Sequence, residues 1–166
     1  ISKFLGTGGG RGTRTVASYD EDTTTMGVEA GRVALKNAPA GFQPDQLWFA
    51  TVDPAYQDKT NATTLHAALR LESDIAFDFG AAARSAVLAL KTALTGSGTV
   101  MVVSSDIRTG QPGSGDEASG GDGAAALLIG DDADGPVIAE YLGGASATEE
   151  FIDRWRVPGA SQSGLW

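Results

Sequence analysis

Three hydrophobic runs, "LWFATV" from Leu47, "DIAFDF" from Asp74 and "TVMVVSS" from Thr99, alternate with segments of helical periodicity, and this alternation leaves few folds open. Short, nearly continuous apolar strands separated by helices read as βαβ units, whose strands lie parallel and are covered on both faces. The first helical segment, "YDEDTTTMGVEAGRVALKNAPAG", is capped around Asp20 to Thr24, presents Met26, Ala30, Val33 and Ala34 as its apolar face, and ends at Asn37, Pro39 and Gly41. A second, "KTNATTLHAALRL", is capped near Thr60 or Asn61. The third runs from Ala81 to about Leu94, and its many alanines predict burial on most sides. "AAALLIGDD" and "PVIAEYLGG" read as two strands in succession. The pattern predicts an α/β fold, a mainly parallel mixed sheet with helices on both faces.

Composition narrows the function. A formal charge of −9 argues against binding a phosphate backbone, which needs clustered Lys and Arg. No apolar run reaches the roughly 18 residues of a bilayer span, and no leader-like segment precedes the domain, so a cytoplasmic protein without nucleic-acid or membrane partners is expected. The absence of Cys removes disulfides, thiolate chemistry and the commonest zinc sites, and the lone His66 cannot build a multi-histidine metal site. No permanently bound cofactor is expected. The opening "GTGGGRGTR" lacks the Gly-Lys-Ser/Thr ending of a phosphate loop and reads as a flexible loop. "GQPGSGDEASGGDG" reads as a mobile acidic loop whose carboxylates are solvated rather than metal-binding.

Four segments, "DEDTTTMGVEAGRVAL", "LWFATVDPAY", "AFDFGAAARSAVLAL" and "VVSSDIRTG…GGDGAAALLIGDD", follow in order and spacing the N-terminal half of the thiolase superfamily. Within it the sequence resembles hydroxymethylglutaryl-CoA synthase, with the ketoacyl-carrier-protein synthases that start fatty-acid chains next nearest. The tail "AEYLGGASATEEFIDRWRVPG" is similar to the synthase segment carrying a "DFWRRPG"-like motif. The resemblance implies two similar halves, of which residues 1–145 are the N-terminal thiolase-like half and 146–166 the start of a connection toward the second. It also implies a homodimer, an acyl-CoA ligand, and an association with a thiolase or with a zinc-ribbon/OB-fold acyl-CoA-associated protein. The family's first strand, which lies mid-sheet, is not recognisable in "ISKFL"; its loss would expose two edges, so the chain as given is expected to be incomplete.

Carried over residue by residue, the resemblance implies a vacancy. Ala83 falls at the position of the family's nucleophilic Cys, where a methyl group can neither attack a thioester nor hold an acyl group. Val52 falls at the position of the acid/base Glu. Asp53 is one residue away, and a one-residue shift at a strand end turns a side chain to the other face, which counts against its substituting. Tyr56 is either a phenolic acid/base or a packing residue at the crevice mouth. Ser85, further into the helix, is rotated away from the vacancy. Arg11 and Arg14 fall where ketoacyl synthases contact the CoA nucleotide, or else lie in a solvated loop. His66 reads as a core or interface histidine, Asp78 as the cap of the turn after its strand, and Trp155 with Arg156 as an anchored surface loop. Two functions remain open. One is non-covalent carbon–carbon chemistry on a CoA thioester, with Asp53 and Tyr56 as candidate catalytic residues. The other is a non-catalytic structural or channelling subunit.

Overall fold

The computed structural model describes residues 13–80, 82–131, 134–152 and 154–165. Arg11 and most of the glycine-rich opening lie outside the described residues. Two compact units emerge: Ala17–Ile107 with Gly123–Tyr141, and the described parts of Ile1–Val16, Arg108–Asp122 and Leu142–Trp166.

The first of these contains α1 (Thr23–Asn37), β1 (Gln46–Ala50), α2 (Ala62–Leu69), β2 (Ile75–Phe79), α3 (Ser85–Thr95), β3 (Val100–Asp106) and, after an excursion through the other unit, β4 (Gly123–Ile129). The strand order is β2-β1-β3-β4, with β1 parallel to both neighbours and β4 antiparallel to β3. This is the expected mainly parallel mixed sheet. The expected mid-sheet gap is absent, because β1 pairs directly with β3 from Gln46 opposite Val100 to Ala50 opposite Ser104. Two facing rows of unpaired N–H and C=O groups are costly, and closing the sheet satisfies both.

Alternation along the strands divides the core between the two faces. Leu47, Phe49, Met101 and Val103 face α1 and α2, where Val28, Ala62 and Leu65 meet them. Trp48, Ala50, Val100 and Val102 face α3, against Ala89 and Ala93. Trp48 also stacks with Phe77 and Phe79 of β2, at ring-centroid distances of 5.4 and 5.3 Å.

The buried face of α1 differs from the expected one. Asp22 caps the helix in a reciprocal box with Thr25, but the residues turned inward are Thr23, Thr24, Gly27, Val28 and Gly31, while Val33 is exposed. The reason is close approach: a Cβ on Gly27 would lie 3.1 Å from both Leu65 and Phe49, and one on Gly31 would lie 2.7 Å from Leu69. Glycines let the helix axis descend onto the sheet, and a count of large apolar residues cannot see them. Helix α3 likewise buries only one stripe, Ala89 and Ala93; Val87 and Leu88 on its other side are 60% and 57% exposed. After β4 the expected second strand is not formed, and Val137 and Ile138 stand exposed. Apolar residues make a strand only where a ladder partner exists, and among the described residues β4 pairs with β3 alone.

In the other unit, the stretch expected to be a mobile loop contains a short helix, α4 (Gly115–Ser119), whose N-cap Ser114 accepts from the Glu117 amide. Its carboxylates are bonded rather than simply solvated. Asp122 accepts from the Arg108 amide at 2.7 Å, and Asp116 forms a two-point pair with Arg154, the nearer contact being Nη1 to Oδ2 and the other 2.7 Å from Nη2 to Oδ1. The Arg154 hydrogen bond holds the Asp116 carboxyl below its usual range, although burial opposes it. Arg154 and Trp155 (β5) pair antiparallel with Gly164 and Leu165 (β6), and Gly164 lies against the Trp155 indole. No helix among the described residues is long and apolar enough to cross a membrane.

At the N-terminal edge of the sheet, Asp45 accepts from the Thr99 amide at 2.7 Å and its hydroxyl at 2.9 Å, which lowers the Asp45 carboxyl below the ordinary aspartate value. A carboxyl lowered in the folded state contributes stability in full above its unfolded-state value, and that contribution fades as pH falls through the folded value. Melting temperature is therefore expected to fall on acidification below the ordinary aspartate range, and Asp45→Asn should remove that part of the acid dependence. An unchanged pH profile in the variant would refute the assignment.

Candidate functional site

Strands β1, β2 and β3 run parallel, so their C-terminal ends share one edge, the edge at which open α/β sheets bind ligands. The loop leaving β1 there, residues 51–61, carries Val52, Asp53 and Tyr56. Its near end is tied to β3. Asp106 Oδ1 accepts from the Val52 amide at 2.7 Å and from Thr51 Oγ1 at 3.2 Å. Thr51 Oγ1 in turn accepts from the Asp53 amide at 3.1 Å, and Thr23 Oγ1 of α1 donates to the Asp53 carbonyl at 2.8 Å. Val52 and Asp53 are both partly buried.

The far end turns on Asn61, which is 1% exposed. Its Oδ1 accepts from the Tyr56 amide at 3.0 Å, while Nδ2 donates to the Tyr56 carbonyl at 2.9 Å, the Lys59 carbonyl at 3.3 Å and Asp78 Oδ2 at 3.0 Å. Asp78 also accepts from the amides of Asn61 at 2.8 Å and Ala62 at 2.7 Å. It therefore caps α2 and not the turn after its own strand. Opposite Phe49 in the β1–β2 register, it is brought to the side of the sheet where α2 packs, and a carboxylate at a helix N-terminus is favoured by the helix dipole.

Tyr56 is half exposed, with Lys59 Nζ 5.4 Å from its ring centroid; that ammonium donates to Thr64 Oγ1 at 2.6 Å. His66 donates to the Ser73 carbonyl at 2.8 Å and is partly buried.

The turn after β2 lies at the same edge. Helix α3 begins at Ser85 rather than Ala81, and Ala83 is exposed in the turn before it. The Ser85 hydroxyl donates to the Gly80 carbonyl and accepts from the Ala82 amide at 3.2 Å, so it is committed to shaping the turn. Arg14, in the other unit, donates to the Gly120 carbonyl at 3.1 Å. Among the described residues no group of three or more His, Cys, Asp or Glu could hold a metal ion. On the β1 loop, the side chains of types suited to proton transfer are Asp53, Tyr56, Asp58 and Lys59, of which Asp53 stands nearest the strand end. The role of Asn61 exceeds the helix cap that the sequence indicated.

Sheet order, flanking helices and the position of the site edge define a thiolase-like α/β fold. PksG, a hydroxymethylglutaryl-CoA synthase from Bacillus subtilis, superposes with a TM-score of 0.75 over 92% of this chain and 39% of its own, at 22% identity. A hydroxymethylglutaryl-CoA synthase solved in complex with CoA superposes at 0.73 over 90% of this chain and 39% of its own, at 21% identity. In sequence, the hydroxymethylglutaryl-CoA synthase of Pyrococcus furiosus is 34% identical over 150 residues, which are 86% of this chain and 43% of that protein. No family model matches. The chain has a thiolase-like fold and resembles hydroxymethylglutaryl-CoA synthase in sequence over most of its length. It spans less than half the length of these relatives.

Proposed function

We propose that the protein binds an acyl-CoA thioester at the C-terminal edge of this sheet and acts on it, without a covalent acyl-enzyme, in carbon–carbon bond chemistry. One observation carries the reading: a chain with this likeness has no Cys anywhere, and alanines fill the turn where the nucleophile would stand. Ala83 takes the nucleophile's place and Val52 that of the acid/base Glu. The chemistry then falls to groups that can form and quench a thioester enolate, Asp53 and Tyr56, with backbone N–H groups stabilising the oxyanion. Arg11 and Arg14 are the proposed contacts for the CoA nucleotide.

The loss of both family positions also favours a second reading, a non-catalytic structural or channelling subunit for a thiolase or a zinc-ribbon/OB-fold acyl-CoA-associated partner. In either case a homodimer is proposed. The outer edge of β2 is unpaired among the described residues, with Ile75 and Phe77 44% and 38% exposed beside it. A bare apolar edge strand invites pairing with a second copy.

Calorimetric titration of the full chain with acetoacetyl-CoA, alongside intact mass and sedimentation, tests these points. Saturable binding, no acyl adduct and a two-chain mass are expected. A covalent adduct would refute the non-covalent mechanism, a one-chain mass would refute the dimer, and absence of binding by folded protein would leave only the subunit reading.

A further inference from the structure

We propose that Asn61 and Asp78 form a positioning relay that sets the backbone of Tyr56 from strand β2. Asn61 occupies the N-cap of α2, a place where an Asn side chain ordinarily accepts from an amide of its own helix. Here it makes no such bond. Its side chain instead holds Tyr56 from both sides, accepting from the amide and donating to the carbonyl, and it reaches Lys59 O and Asp78 as well. The capping duty has passed to Asp78, whose two oxygens take the Asn61 and Ala62 amides.

A helix cap alone requires neither this exchange nor a buried amide with every bond directed away from the helix. The arrangement is accounted for if the object held is Tyr56. Clamping both polar groups of one residue by one planar amide fixes the orientation of its peptide groups, and hence the direction in which its side chain leaves the loop. That amide is itself fixed by a carboxylate on the neighbouring strand, so the loop stands on the sheet and is not a free lid. The part of this proposal that concerns ligand affinity rests on the acyl-CoA reading; the part that concerns loop order does not.

Amide hydrogen exchange followed by NMR on the full chain separates the two. In the wild type the Tyr56 amide should be protected to the same degree as that of Ala62, since one opening event releases both. In Asn61→Ala the Tyr56 amide should exchange roughly tenfold faster or more while Ala62, still capped by Asp78, is unchanged. In Asp78→Asn both should quicken. A Tyr56 amide indifferent to Asn61→Ala, or quickening of Ala62 alone in Asp78→Asn, would overturn the relay; should one variant fail to fold, the other decides. In titrations with acetoacetyl-CoA, Asn61→Ala should weaken binding about fivefold, but less than about twofold in a Tyr56→Ala background, because residues acting through one another are not additive. Equal losses in both backgrounds would overturn positioning through Tyr56. Failure of the wild type to bind would refute the acyl-CoA reading while the exchange result still judges the relay.

Discussion

Phe49→Ala is expected to lower folding stability by about 3–5 kcal/mol, the usual cost of removing a fully buried aromatic ring. Phe49 is 0% exposed at the centre of the α1 and α2 face of the sheet, and its ring closes against the bare backbone of Gly27. That contact makes the prediction sharper than a cavity estimate. Gly27→Leu alone should also destabilise, by about 1–3 kcal/mol, because even its Cβ would lie 3.1 Å from Leu65 and Phe49 and 3.3 Å from Val103, closer than ordinary contact. In the Phe49→Ala background the same leucine enters the space the ring has left. The double variant should therefore lose clearly less than the two single losses combined. Urea denaturation of the four proteins measures this coupling directly, and strictly additive losses would mean that helix and ring do not share one packing volume.

Strands β1 and β3 were legible because both their faces are buried, so their sequences are nearly continuous runs of apolar residues. Helix α1 was legible in extent but not in orientation. Its contact face is made of Gly27, Val28, Gly31 and two threonines, and the two glycines fit through what is missing at Cβ, not through hydrophobicity. The direct pairing of β1 with β3 was likewise invisible, since register depends on which rows of backbone groups meet in space. At the candidate site the loop bearing Asp53 and Tyr56 could be placed after a strand, yet its fastening could not. Asp106 and Asp78 lie 55 and 17 residues from the groups they hold at Thr51 and Asn61, and no local pattern records such distances. The short helix α4 hid for a related reason, its Asp116 being fixed by Arg154, 38 residues later.

If the protein is an enzyme, the largest functional effect should come from a single oxygen. A thioester enolate forms when a base removes a C2 proton and the electron pair moves onto the thioester carbonyl oxygen; returning a proton from solvent to C2 completes an exchange that needs no second substrate. In D2O, acetyl-CoA should therefore gain deuterium at C2 in the presence of the full chain, read by mass spectrometry. Tyr56→Phe keeps the ring and the Lys59 contact above it but removes the hydroxyl, and should slow this exchange by about 10²–10⁴-fold, the usual contribution of a positioned acid or base. Binding of acetyl-CoA should change little, because the oxygen acts on the developing charge more than on the ground state. Asp53→Asn separates the two candidates: exchange lost there but kept in Tyr56→Phe would assign the base to Asp53 and leave Tyr56 as packing. A wild-type protein that binds acetyl-CoA yet exchanges no deuterium would reject both as catalytic residues and establish the subunit reading. In that case the ordered loop would serve to hold a thioester for a partner, and the relay through Asn61 would matter for affinity alone.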